Sequence, residues 1–385
     1  MKRFQLIPFA LSRREKKRMP VWIMLAVHLI VFIPAAAKGQ TVNPKGVQNI
    51  LAEEGDKFPG GLVSGHVPAK ADEPLAKVFS LEEAARSMDL AALNWQSQPR
   101  QQCSQCHANM LHLVARPTLA GLVPELPEVR QLFEQHIVVR RWEKDGLLYN
   151  VEAVAVAVPL AFHDRQTTGK LHPLTRQALD RMVAVQGKDG TWEDTVGGKY
   201  GFFRRYEQTL FAAIGIAAAP DGYSETESGR QGLERIRQFA QANPPKHAYA
   251  KGMLLWATAL IEGVATPVQR KAAADELLSL QRSDGGWALR RMLSDDPIQP
   301  AGRFAAELPS DGYGTGFAVF VLRQGGLPAD DPRLCRGVAW LKGNQRASGR
   351  WFHPTLSNRP NNVLSNTATA WAVLALQACG EIHAN

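Results

Sequence analysis

Gln186-Gly-Lys-Asp-Gly190-Thr-Trp192, Gln281-Arg-Ser-Asp-Gly285-Gly-Trp287 and Gln345-Arg-Ala-Ser-Gly349-Arg-Trp351 are three copies of one turn. In each, Gly stands four residues and Trp six residues after Gln. The Gln falls near the end of a helical pattern, and the Gly permits an exit at positive φ. The Trp then folds back onto the hairpin, where its ring is buried and its N–H meets an acceptor. Three copies in register make this an internal repeat.

Outward from these turns, the pattern is helical throughout. Ser80-Leu-Glu-Glu83 opens a helix with a capping-box signature, and apolar residues recur at helical spacing to Trp95. The same spacing predicts helices over about 125–142, 147–162, 173–186, 203–219, 227–242, 247–262, 267–281, 313–325, 332–345 and 363–379. No alternating strand run is present, so the chain reads as all-α. Val151-Glu-Ala-Val-Ala-Val-Ala-Val158 and Leu210-Phe-Ala-Ala-Ile-Gly-Ile-Ala-Ala-Ala219 are apolar nearly all round, whereas other helices are amphipathic. That alternation predicts two concentric layers, an inner ring of buried helices inside a half-exposed outer one.

The third turn, with Arg336-Gly337-Val-Ala-Trp340-Leu341 ahead of Gln345, Gly349 and Trp351, resembles the QW motif of the squalene–hopene cyclase and prenyltransferase repeat family. The resemblance covers about residues 80–380. It implies an α/α toroid of helical hairpins, often with an apolar central cavity. It does not carry the family's chemistry across. Cyclases of the family use an Asp-x-Asp-Asp-Thr-Ala motif, and the best match here is Asp311-Gly-Tyr313-Gly314-Thr315-Gly316. Tyr313 and Gly314 replace the second and third aspartates. Gly314 also stands where protein prenyltransferases carry a zinc-ligand His. Asp295-Asp296 is followed by Pro297 and does not fit the motif either.

Cys103-Ser-Gln-Cys106-His107 is the most specific chemical signature of the chain. Two cysteines at this spacing reach the vinyl groups of one haem, and the adjacent imidazole ligates its iron, the pattern of c-type attachment. A structural disulfide, a redox dithiol and a metal site are the competing uses. Zinc would need a fourth ligand and normally a second Cys/His cluster. A thioredoxin-like dithiol would need a βαβ setting. The motif follows Ala92-Leu-Asn-Trp95, the counterpart of Val338-Ala-Trp340-Leu341, so it takes the place of a Gln–Gly–Trp turn in the first repeat. The sixth ligand is not legible. Met110 and His112 are too close in sequence to reach the opposite haem face, and His136, His163 and Met182 would approach only through the fold.

Residues 1–37 read as an export signal: a basic stretch to Arg18, the apolar run Val21–Ile33, and Pro34-Ala35-Ala36-Ala37 as the cleavage site. The run is short for a membrane span, which takes about 20 apolar residues, although an uncleaved segment would leave a membrane contact. The whole chain carries a net charge of +9, but beyond residue 37 it holds 38 basic against 35 acidic residues, a net of +3. A nucleic-acid partner is therefore not expected. Residues 38–79 are rich in Gly, Pro and charge and read as a linker or irregular wrap, followed by the toroid over 80–385.

Glu152 and Glu207 lie inside strongly apolar helices and are, with Asp311, the candidate acids. Burial would raise their pKa values, but the plainer reading pairs them with arginines such as Arg140, Arg141, Arg204 or Arg205. Trp95, Trp142, Trp256, Trp340 and Trp371 read as core, or as the lining of a ligand pocket. Cys335 and Cys379 read as a disulfide or as two buried free thiols. Together these features predict an exported, extracytoplasmic toroid with one haem c and a redox partner protein. The rival is a cyclase-like or isoprenoid-binding toroid without haem, and a scaffold with neither ligand is the third class.

Overall fold

The computed structural model describes residues 65–97, 109–139, 142, 147–192, 205–293, 309–354 and 364–382. Among them lie α1 (Leu81–Gln96), α2 (Asn109–Ala115), α3 (Pro127–Val139), α4 (Leu147–Thr167), α5 (Pro173–Ala184), α6 (Arg205–Ala218) and α7 (Glu227–Ala242). There follow α8 (Ala248–Thr258), α9 (Pro267–Ser279), the single turn α10 (Leu289–Met292), α11 (Gly312–Gln324), α12 (Pro332–Gly343) and α13 (Leu364–Ala378). No strand is present among the described residues, only the isolated bridge Leu75–Arg346.

Helix packing closes a ring. α2 packs on α4, α4 on α6, α6 on α8, α8 on α11, α11 on α13, and α13 returns to α2. Around these six, α3 and α5 pack on α4, α7 on α6, α9 on α8, α12 on α11, and α1 on both α13 and α2. The chain is an α/α toroid, as the alternation of apolar and amphipathic helices predicts. Every described residue of α2 is buried, as are eleven of the thirteen in α11, whereas α9 and α12 bury three and four. Because inner and outer helices alternate along the chain, all six inner helices start at the same end of the ring, called the mouth below.

The repeated turn holds this arrangement in one geometry three times. Gln186, Gln281 and Gln345 donate from Nε2 to the carbonyls of Gly190, Gly285 and Gly349 at 2.8–2.9 Å. The same Nε2 donates to the next outer helix or its cap: to Gly232 of α7, Arg333 of α12 and Ser80 before α1. Trp192, Trp287 and Trp351, all fully buried, donate to Met182, Leu277 and Leu341, each ten residues back. The third turn therefore joins the last repeat to the first. Ser80 caps α1 by accepting from Glu83 N, as the sequence predicts, but its own N–H donates to Gln345 Oε1 at 2.8 Å. The reciprocal half of the capping box has been given over to ring closure.

Residues before α1 extend the closure. Ala76 N donates to the Gln345 carbonyl and Ala347 N to that of Pro74, both at 2.8 Å. Residues 73–76 thus form a strap on the third turn. Two expectations need correction. α2 was not anticipated, since a seven-residue helix stopped by Arg116-Pro117 is too short to show periodicity. Cys335 and Cys379 are free thiols, the first exposed and the second half-buried, with burial pushing the Cys379 thiol up to about 11.

Gly349 sits at φ +83°, and a Cβ there would meet the Glu83 carbonyl oxygen of α1 well inside van der Waals contact. Gly349→Ala is expected to destabilise the chain by about 2–4 kcal/mol through left-handed strain and displacement of α1. Urea unfolding of wild type and variant measures this. Gly326→Ala, at φ +99° with no atom near its Cβ, should cost only the strain, about 1–2 kcal/mol.

Candidate functional site

At the mouth, the first turns of the inner helices bring together buried ionisable groups on separate segments. Glu207, in the first turn of α6, faces His247, the N-cap of α8, with Oε1 3.0 Å from Nε2. The other ring nitrogen of His247 accepts from Ala250 N, which fixes the imidazole. Two residues on, the Tyr249 hydroxyl lies 3.0 Å from that of Tyr313 in α11. Burial, then the neighbouring Tyr249, pushes the Tyr313 hydroxyl well above its ordinary value, so it remains a protonated donor. Asp311, the N-cap of α11, takes His353 Nδ1 at 2.8 Å and accepts from Gly314 N and Leu289 N. On the outer side of the ring, Glu152 of α4 is held by His136 Nδ1 of α3 at 3.0 Å and by Trp142 Nε1 at 3.2 Å.

Below this polar layer the ring axis is filled with aromatic side chains. Trp256 of α8 contacts Phe162, Phe211, Phe320 and Trp371, which belong to four other inner helices, at centroid distances of 5.0–5.9 Å. Phe317 stacks on Tyr249 at 4.2 Å and meets Trp371 edge-on at 5.2 Å. A cavity between Met110, Glu207, Tyr249, Met253, Trp256 and Trp371 measures only about 10 Å³. That holds about one water. At this depth the axis has no room for a long apolar chain.

The α1/α2 hairpin carries a second buried group. Asp89 Oδ1 is 2.9 Å from His112 Nε2, and the Asp89 carboxylate takes Arg116 through two hydrogen bonds of 2.9 and 3.0 Å. Burial alone would raise the Asp89 pKa, but the hydrogen bonds and charges of His112 and Arg116 hold it below its ordinary 3.8. Towards the mouth, the same hairpin holds buried polar atoms that have no hydrogen-bond partner among the described residues: Trp95 Nε1, Gln96 Nε2, and both Oδ1 and Nδ2 of Asn109. The connection between these residues contains Cys103, Cys106 and His107, which lie outside the described residues, as does Asp295-Asp296.

The sequence candidates therefore divide. Glu207 belongs to the mouth cluster, but its partner is His247, while Arg205 pairs with Asp189. Asp311 is also at the mouth, where three donors occupy its carboxylate and make it a helix cap and brace. Glu152 is buried in the α3/α4 layer. His163 lies near the far end of α4, bonded to Glu125 and Arg130. Trp142, Trp256 and Trp371 are core, and Trp95 and Trp340 are half-buried. Sequence reading missed His247, Tyr249 and His353. A His three residues ahead of a helical amide is a weak capping signal, and the approach of Tyr249 to Tyr313, 64 residues apart, leaves no local trace.

No protein-family model matches the chain. Over 124 residues, 31% of its length, it is 33% identical to squalene–hopene cyclase of Zymomonas mobilis, covering 16% of that protein. Over 76 residues, 18% of its length, it is 36% identical to squalene–hopene cyclase of Bradyrhizobium diazoefficiens, covering 12% of it. Over these stretches the chain is similar to squalene–hopene cyclases. The matches span less than a fifth of either relative. Among solved structures, a polysaccharide lyase aligns with TM-score 0.49 and 11% identity over 79% of this chain and 98% of the other. ent-Copalyl diphosphate synthase from Streptomyces platensis aligns with TM-score 0.47 and 16% identity over 88% of this chain and 67% of the other.

Asp89 gives the toroid an acid-sensitive joint. Its folded pKa is depressed, so its contribution to stability is present above about pH 4 and is lost as pH falls through the folded value. Asp89→Asn is expected to cost about 3–5 kcal/mol at neutral pH, because Arg116 is left buried without its counter-charge. The difference between wild type and variant, measured by urea unfolding across pH 7 to 2, should shrink below about pH 4.

Proposed function

We propose that this toroid is an exported haem c protein of extracytoplasmic electron transfer or redox chemistry. Cys103 and Cys106 are the attachment points, and His107 is the proximal iron ligand. The observation that carries the reading is the set of buried, unpartnered polar atoms on the two residues that lead into the motif's connection and on the one that follows it. A haem brings two carboxylates, which accept from N–H donors such as Trp95 Nε1, Gln96 Nε2 and Asn109 Nδ2. The donor set therefore fits the group. A neutral isoprenoid offers such donors nothing.

When bound, a haem would supply one-electron chemistry. The chain's own residues supply the environment. The aromatic core around Trp256 fills the axis but for about one water, and the Glu207–His247 and Tyr249–Tyr313 pairs offer polar groups at the mouth. Export fits the same reading, since covalent attachment of c-type haem takes place outside the bacterial cytoplasm, and the apolar run before Ala37 is a signal peptide. The partner is then a redox protein.

Protein produced with a cytochrome c maturation system is expected to give a c-type pyridine haemochrome band that is lost when Cys103 and Cys106 are both changed to Ala. Absence of the band in the unaltered chain, or its persistence in the double variant, would overturn the proposal. Similarity to squalene–hopene cyclases favours the second reading, an isoprenoid ligand. Extraction of purified protein with organic solvent and mass spectrometry tests it, with recovery of an isoprenoid and no haem as the outcome in its favour.

A further inference from the structure

The α1/α2 hairpin has a register that places its unpartnered atoms in one seam. The Asp89–His112 bond sets these two residues opposite each other, and the helices run antiparallel. Counting from that pair, Asn109 stands level with Ala92, and Gln96 lies about one turn, or ~6 Å, nearer the mouth. Asp89, Ala92 and Gln96 share one face of α1, and Asn109, His112 and Arg116 share one face of α2, since both sets are spaced three and then four residues. The seam is therefore closed at depth by the Asp89–His112–Arg116 group and carries Asn109 and Gln96 above it.

Asn109 is fully buried and, among the described residues, neither atom of its amide has a partner; Trp95 and Gln96 are half-buried, and their Nε1 and Nε2 atoms are likewise without one. Leaving such groups unmade is costly. Three of these four atoms are N–H donors, so a ligand that satisfies them must be chiefly an acceptor. Arg116 matches the Asp89 charge below, so the floor of the seam is not left with an unpaired acid.

We infer that the mouth end of the α1/α2 seam is a carboxylate-binding site, with Asn109, Gln96 and Trp95 donating to an acidic group of the bound ligand. This rests on the haem reading, under which the acidic group is a haem propionate. A small free anion has the same chemistry and is distinguished by the test. The three residues are positioning residues: they orient the ligand by its acid and lower the pH at which that acid ionises.

The experiment uses the full chain in two forms, the haem-loaded protein and the haem-free Cys103→Ala/Cys106→Ala variant, each with and without Asn109→Leu. Without haem, Leu removes an unpaired amide and is expected to raise the thermal midpoint by a few degrees. With haem, it deletes a bond to the propionate and is expected to lower the midpoint. It should also move the pH-dependent step of the reduction potential upward by about one unit. Gln96→Leu is the second variant, expected to act in the same directions should Asn109→Leu fold poorly. Stabilisation by Leu in both forms, with the potential–pH profile unchanged, would overturn the inference. If the haemochrome assay finds no haem, the haem reading fails and the seam is tested alone with succinate and inorganic phosphate. A rise in thermal midpoint of wild type but not of Asn109→Leu upholds a free-anion site, and no rise in either overturns it.

Discussion

Each of three glutamine amides donates at once to the glycine carbonyl of its own turn and to the backbone of the next outer helix or its cap. This double donation fixes the step from one hairpin to the next. The glycine at positive φ brings the turn close enough for the bond, and the Trp ten residues after its acceptor carbonyl seals the outer helix against it. The direction in which the inner helices start follows from that step, and with it the gathering of their first turns at one end. Glu207, His247, Tyr249, Tyr313, Asp311 and His353 are neighbours for this reason alone.

The ring's interior separates into two chemical zones. Trp256 and the aromatic residues around it occupy the axis at a packing that leaves room for about one water. The polar groups lie above, on the side where the connections into the inner helices run. Among the described residues, the axis is thus filled at this depth. The similarity to squalene–hopene cyclases over about a third of the chain is similarity of this architecture.

Much of the fold was legible because its signals are local and repeated. Helical spacing placed ten of the twelve described helices after α1 to within a few residues, and Gln, Gly and Trp in register announced the turns. α2 escaped because two turns are too few to show a period. The candidate site was less legible. Glu207 stood out as a carboxylate in an apolar helix, yet its partner was assigned to arginines nearby in sequence, whereas the structure supplies a histidine forty residues away at the start of the neighbouring inner helix. Asp311 was noticed for its place in a degenerate motif, and only the fold shows His353, Gly314 and Leu289 converging on it. Pairings made by ring closure have no counterpart in a linear pattern.

Closure by Ser80 and Gln345, partners separated by 265 positions, has a consequence for how the molecule assembles. An open stack of hairpins can form piecewise and fray from either end, and it needs polar end repeats to stay soluble. Here the last turn docks on the first helix, so no repeat is terminal and none requires a cap. The cost falls on kinetics. The joint cannot form until every hairpin between is in place, so its loop-closure entropy is met last, which makes this a high-contact-order helical protein and a slow folder for its class. Once the ring is shut, opening it at this joint breaks the Ser80–Gln345 bonds together with the packing of α13 on α1 and α2.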